Sequence, residues 1–134
     1  MKSIRILLAI DSIGALITGI LILCLSSFMA PLYEWSYDHV LFVAAGHLTY
    51  GTYSGILAMG YFRKSWLPSI PVTVLIIANA VWAGQCFTNL WLLREDSSWL
   101  GLSHLAMEGV YLFVLAYLEA RIIIPELNPS SASE

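Results

Sequence analysis

His104 and Glu108 stand four residues apart, the spacing that puts an imidazole and a carboxyl on one face of a helix. Such a pair can pass a proton, hold a polar ligand or act as acid and base. A second imidazole, His47, and the side chains of Asn79, Trp82 and Asp11 are candidate partners. All six residues lie in strongly apolar surroundings, where a carboxyl costs about 2.5–3.5 kcal/mol even on the lenient scale of membrane insertion. Glu108 is therefore expected either to carry a proton or to be held by His104, Asn79 or water. The set Glu108, His104, His47, Asn79, Trp82 and Asp11 is the candidate ligand or proton site. Glu108 is its central carboxyl, His104 and His47 are its partners, and Asn79 and Trp82 form the wall opposite.

Other chemistries use the same residues. His47 and His104 at matched depth would suit the two axial positions of a haem b, which makes a bis-histidine electron carrier an alternative although no cofactor is required. Glu108 and His104 as acid and base would suit an enzyme acting on a lipid-soluble substrate, the less favoured reading. A polar seam that merely packs would suit a structural or accessory subunit of a membrane complex. No metal-ligand spacing and no CxxC occurs. Cys24 and Cys86 are expected to be two buried small hydrophobes.

The elements that carry these residues follow from composition. Of 134 residues, 59% are apolar and 11% are charged, against roughly 25% charged in an average soluble domain. The mean hydropathy is +0.79. A soluble domain this small cannot bury so much apolar surface, so lipid is the expected solvent. The net charge is −3, and the six basic residues are scattered and make no patch for nucleic acid.

Four apolar stretches approach or exceed the roughly 20 residues that cross a bilayer. They run from about Ile4 to Met29, ending before Pro31; His39 to Phe62; Trp66 to Leu93, with Pro68 and Pro71 in the opening turns; and Ser98 to Ile124, stopping at Pro125. Asp11 interrupts the first stretch and no A-x-A site follows, so it is expected to stay in place rather than to be cleaved as a signal. Residues 126–134, rich in Ser and Pro, read as a disordered cytoplasmic tail. Lys2, Arg5, Arg63, Lys64 and Arg121 fall on one side and Arg94 alone on the other, which predicts both termini in the cytoplasm. Trp35, Trp66, Trp91 and Trp99 near span ends, and Glu119 with Arg121, are expected interfacial anchors.

The fold class expected is all-α, a four-helix transmembrane bundle. Each span shows a small or polar face at helical spacing: Asp11, Gly14, Ala15, Thr18; then His47, Tyr50, Gly51, Ser54, Ala58, with the GxxxG of Gly51 and Gly55; then Asn79, Trp82, Cys86, Asn89, with Gln85 beside it; then Gly101, His104, Glu108, Tyr111, Leu115, Glu119. These faces should meet, with Asn79, Gln85 and Asn89 bonding between helices. At 1.5 Å per residue, Asp11 lies near the cytoplasmic end, Asn79 and Glu108 near mid-membrane, and both histidines about 10–12 Å below the outer surface.

The runs His47-Leu-Thr-Tyr50-Gly-Thr-Tyr-Ser54, Ala78-Asn79-Ala80-Val-Trp82-Ala-Gly-Gln-Cys86 and His104…Glu108-Gly109…Leu115-Ala116…Leu118-Glu119 resemble a group of small four-span bacterial inner-membrane proteins to which no activity is assigned. The resemblance covers spans two to four. It implies a multi-pass inner-membrane setting and supplies no site residues. The expected partners are the bilayer and either a small lipophilic ligand or a larger membrane complex. Oligomeric state is not legible in the residues.

Overall fold

The computed structural model describes residues 2–64 and 68–127, which form five helices and no strand. They are α1 (Lys2–Cys24), α2 (Ser26–Tyr33), α3 (Tyr37–Lys64), α4 (Ser69–Leu92) and α5 (Trp99–Leu127). Trp66 and residues 128–134, to which anchor and tail roles were assigned above, lie outside the described residues.

The first apolar stretch is two helices, not one. Leu25 leaves helical geometry (φ −101°, ψ 9°), and the chain resumes as the eight-residue α2 with Pro31 inside it. Glu34 closes α2 in the left-handed conformation (φ 58°), its N–H returning to the carbonyl of Ala30. Proline likewise fails to stop α5, which runs through Pro125 to Leu127. At the start of α4 the expectation holds. Pro68 is extended before the helix, and Pro71 falls in the first turn, where a missing N–H leaves no bond unmade.

α1 packs chiefly on α3 and α4 chiefly on α5, and the two pairs meet more loosely. Small residues make each pair close. A Cβ at Gly51 would stand 2.8 Å from the backbone nitrogen of Leu16, and one at Gly55 would stand 2.8 Å from the Ser12 hydroxyl, which itself donates to the Gly51 carbonyl at 2.9 Å. Polar groups join the pairs. Tyr50 donates to the Ala78 carbonyl at 2.7 Å and Tyr53 to that of Pro71 at 3.0 Å, both from α3 to α4.

Two apolar clusters fill the ends of the bundle, one around Leu8, Val72, Leu75 and Ile123, the other around Ile22, Val40, Ala44 and Leu105. Many large apolar side chains face outward, among them Ile13 and Ile17 of α1, Phe42 and Ile56 of α3, Ile77 and Val81 of α4, and Val110 and Phe113 of α5. Two helices, α1 over Ser3–Cys24 and α4, are long and apolar enough to cross a bilayer.

Candidate functional site

Three helices bring a cluster together around Glu108. Oε1 of Glu108 accepts the indole N–H of Trp82 on α4 at 2.6 Å and lies 2.9 Å from Nε2 of His47 on α3. Its second oxygen lies 3.2 Å from Nε2 of His104, one turn earlier on α5. Only the Trp82 contact has the alignment of a hydrogen bond. His104 also has Nδ1 3.4 Å from the hydroxyl of Tyr33, on α2. So His47, His104 and Trp82 meet Glu108 as the sequence predicts. The Nε2 atoms that a bis-histidine haem would take both face this carboxyl, and such a site would require both rings to turn away from it.

Asn79 does not belong to this cluster. It lies a turn earlier on α4 than Trp82, and its amide Nδ2 donates to Oε2 of Glu119 at 3.2 Å and to Oδ1 of Asp11 at 3.5 Å. Asn79 and Glu119 are wholly buried and Asp11 is 2% exposed. This corrects two expectations. Asn79 bridges α1 and α5 below Glu108 rather than facing it, and Glu119 is an interior carboxyl, not an interfacial anchor; its neighbour Arg121 is exposed. The i, i+4 pattern Leu115…Glu119 continuing the Glu108 face was the signal that Glu119 points inward.

A cavity of about 590 Å³ opens beside the cluster, lined by α1 (Asp11, Gly14, Ala15, Thr18), by Tyr33 and His47, and by α5 from Trp99 to Leu112. Met107, Tyr111 and Trp99 on its rim are exposed, so its mouth lies on the outer surface between α1 and α5. Asp11 and His47 also line a second, far smaller void with Tyr50, Asn79 and Trp82. That void separates the Glu108 cluster from the Asp11–Asn79–Glu119 bridge.

The remaining polar residues divide. Trp91 and Trp99 are exposed, as anchors would be, and the Arg94 guanidinium lies 4.2 Å over the Trp91 ring. Trp35 is instead buried, donating to Ser97 Oγ at 3.0 Å and meeting His39 and His104 edge-on. Gln85 and Asn89 bond each other along α4 at 3.2 Å instead of reaching another helix. Cys86 is buried, but Cys24 is exposed, against the expectation of two buried thiols. Among the described residues, no group of three or more His, Cys, Asp or Glu side chains is placed to hold a metal ion.

Compared with known protein families, with curated proteins and with solved structures, the chain matches none.

Proposed function

We infer that the protein is a four-span bundle of a bacterial inner membrane, with both termini cytoplasmic, that binds a small lipophilic molecule between α1 and α5. The observation that carries the binding reading is the cavity of about 590 Å³ with the Glu108 carboxyl in its wall, held by Trp82, His47 and His104. That volume falls within the range of small-molecule sites, which are mostly apolar with a few fixed polar groups. The rim residues Met107 and Tyr111 are the exposed apolar and aromatic side chains that would meet lipid tails, giving a ligand lateral access.

Two features support the membrane reading beyond the hydropathy of α1 and α4. α3 and α5 also direct large apolar side chains outward along their length and turn their mid-helix ionisable groups, His47, His104, Glu108 and Glu119, inward, while Asp38, Arg63 and Arg121 are exposed near the helix ends. The outward-facing Thr49, Thr52, Thr73 and Thr88 each return their hydroxyl to the carbonyl four residues earlier, at 2.7–3.0 Å. In lipid no water would be present to satisfy them. The five-to-one distribution of basic residues supports the orientation.

The test is to purify the protein in a mild neutral detergent, extract it with organic solvent and identify retained small molecules by mass spectrometry. Ser103→Trp, an exposed position in the cavity wall, should fill the space without disturbing the core. A lipophilic compound present in the wild type and absent from a folded Ser103→Trp variant is the expected result. Equal retention by both proteins would overturn the reading.

A further inference from the structure

The buried polar atoms around the cavity lack partners unevenly. Glu108 has donors or imidazole nitrogens against both of its oxygens. Asp11 does not. Its Oδ1 is taken by Asn79; the nearby Ser54 hydroxyl is turned to the carbonyls of Tyr50 and Gly51, so Oδ2 is buried without an aligned donor, and Asp11 lines the cavity. Behind it, Oδ1 of Asn79 and Oε1 of Glu119 are also buried and unpartnered. All three atoms are oxygens that accept hydrogen bonds.

The lining holds no lysine or arginine. Its imidazoles, His47 and His104, both lie against Glu108, so a charge on either is answered there and not at Asp11. Of the aromatic rings in the lining, Tyr111 reaches α1 one turn from Asp11, its hydroxyl 3.2 Å from where a Cβ on Gly14 would stand. What this end of the cavity lacks is a group that donates hydrogen bonds and carries positive charge, attached to an apolar body that fills the rest.

We propose that the ligand of this cavity is a lipophilic amine, whose protonated nitrogen sits on the Asp11 carboxyl and whose apolar chain runs toward the mouth at Met107 and Tyr111. The proposal rests on the cavity being a ligand site, and it adds the chemical class. Asn79 is the positioning residue. By holding Oδ1 of Asp11 it leaves Oδ2 for the ammonium. A fatty acid of equal length would bring a third carboxyl to the pair that Asp11 and Glu119 already form on Asn79, and repulsion disfavours it.

The experiment compares four probes of one chain length by titration calorimetry in maltoside micelles: dodecylamine, N-dodecylacetamide, dodecan-1-ol and dodecanoic acid. Micelle partitioning is subtracted with the Ser103→Trp variant. Dodecylamine should bind at least tenfold more tightly than the amide and the alcohol, and dodecanoic acid should not bind. Asp11→Asn should remove the advantage of the amine over the alcohol. Should Asp11→Asn fail to fold, the comparison of amine with acetamide on the wild type decides alone, since acetylation removes only the charge. Equal affinities for amine, amide and alcohol would overturn the amine assignment and leave the cavity as a ligand site. Binding of no probe would overturn both. A preference for the amine that survives Asp11→Asn would place the recognition elsewhere and overturn the role of Asp11.

Discussion

Trp82 reaches Glu108 at 2.6 Å because residue 46, across the interface on α3, is glycine. A Cβ built on Gly46 collides with the outer ring atoms of Trp82. The indole is an outer wall of the Glu108 cluster and is stacked on Phe42, with ring centroids 5.5 Å apart. Gly46→Ala should therefore push the ring off the carboxyl and cost about 1–3 kcal/mol of stability, the usual range for overpacking. Trp82→Phe, which removes the donor and shortens the ring system, should cost a similar amount. The two changes should not add, because Phe leaves room for the new methyl. A double-mutant cycle by denaturant unfolding in detergent measures this, with a coupling of about 0.5–3 kcal/mol expected. Strict additivity would mean that Gly46 does not set the position of Trp82.

Asn79 is hydrogen-bonded to both Asp11 and Glu119. Asn79→Ala leaves two buried carboxyls without their shared donor, at about 1–3 kcal/mol for each unsatisfied group. Gln85→Ala, on the same helix, removes only an exposed bond to Asn89 and should change stability by less than about 0.5 kcal/mol. Thermal unfolding of the two variants side by side checks the contrast. Similar losses would show that the bridge contributes nothing.

Much of this arrangement was legible in residue spacing. His104 and Glu108 share a face because helices repeat every 3.6 residues, and the small side chains of Gly51 and Gly55 predict a close helix approach, although spacing does not name α1 as the partner. What spacing does not encode is vertical register between helices. Depth counted along each span put Asn79 level with Glu108, whereas the packing of the two helix pairs sets it level with Asp11 and Glu119. Trp35 misled for a related reason. A tryptophan near a span end resembles an anchor, but the turn at Glu34 folds it inward onto His39 and His104. The cavity itself has no sequence signature, since it is the space left where α1 and α5 fail to meet closely.

Gly51 sets the spacing of α1 and α3. A side chain there meets backbone, not a flexible tip, with Leu16 N at 2.8 Å and Leu16 Cγ at 2.7 Å from the added carbon. Gly51→Ala must part the helices and should lose about 1–3 kcal/mol. Gly84→Ala is the control, because nothing lies within 4 Å of an added Cβ there. It should be neutral or stabilising by up to about 1 kcal/mol, as Ala replaces Gly within a helix. Unfolding midpoints for the pair test this, and a Gly51→Ala protein as stable as Gly84→Ala would sink the claim.

The orientation proposed above makes a prediction that does not depend on the cavity. A reporter active only outside the cytoplasm should be silent when fused after Glu134 and active when placed in the loop containing Glu95 and Asp96. Activity at the C-terminus would reverse the orientation or remove a span. Silence at both positions would argue that α4 and α5 do not cross the membrane as a hairpin.

Glu108→Gln separates a group that packs from one that binds. Gln keeps one oxygen for the Trp82 N–H and places an amide where the second oxygen faced His104 Nε2. His104 can answer by changing tautomer, accepting at Nε2 and donating from Nδ1 to the Tyr33 hydroxyl 3.4 Å away. The variant should therefore fold with an unfolding temperature near that of the wild type. Glu108→Ala has no such route. It strands the Trp82 N–H and both imidazoles around a void and should cost about 3 kcal/mol or more. If the site binds a ligand, Glu108→Gln should weaken retention of that ligand severalfold while stability is nearly unchanged, because the carboxyl charge in the cavity wall is gone. Stability and retention must be measured on the same preparations. A Gln variant that retains ligand like the wild type would make Glu108 a packing residue, and one that cannot fold would show that the histidines require the charged carboxylate.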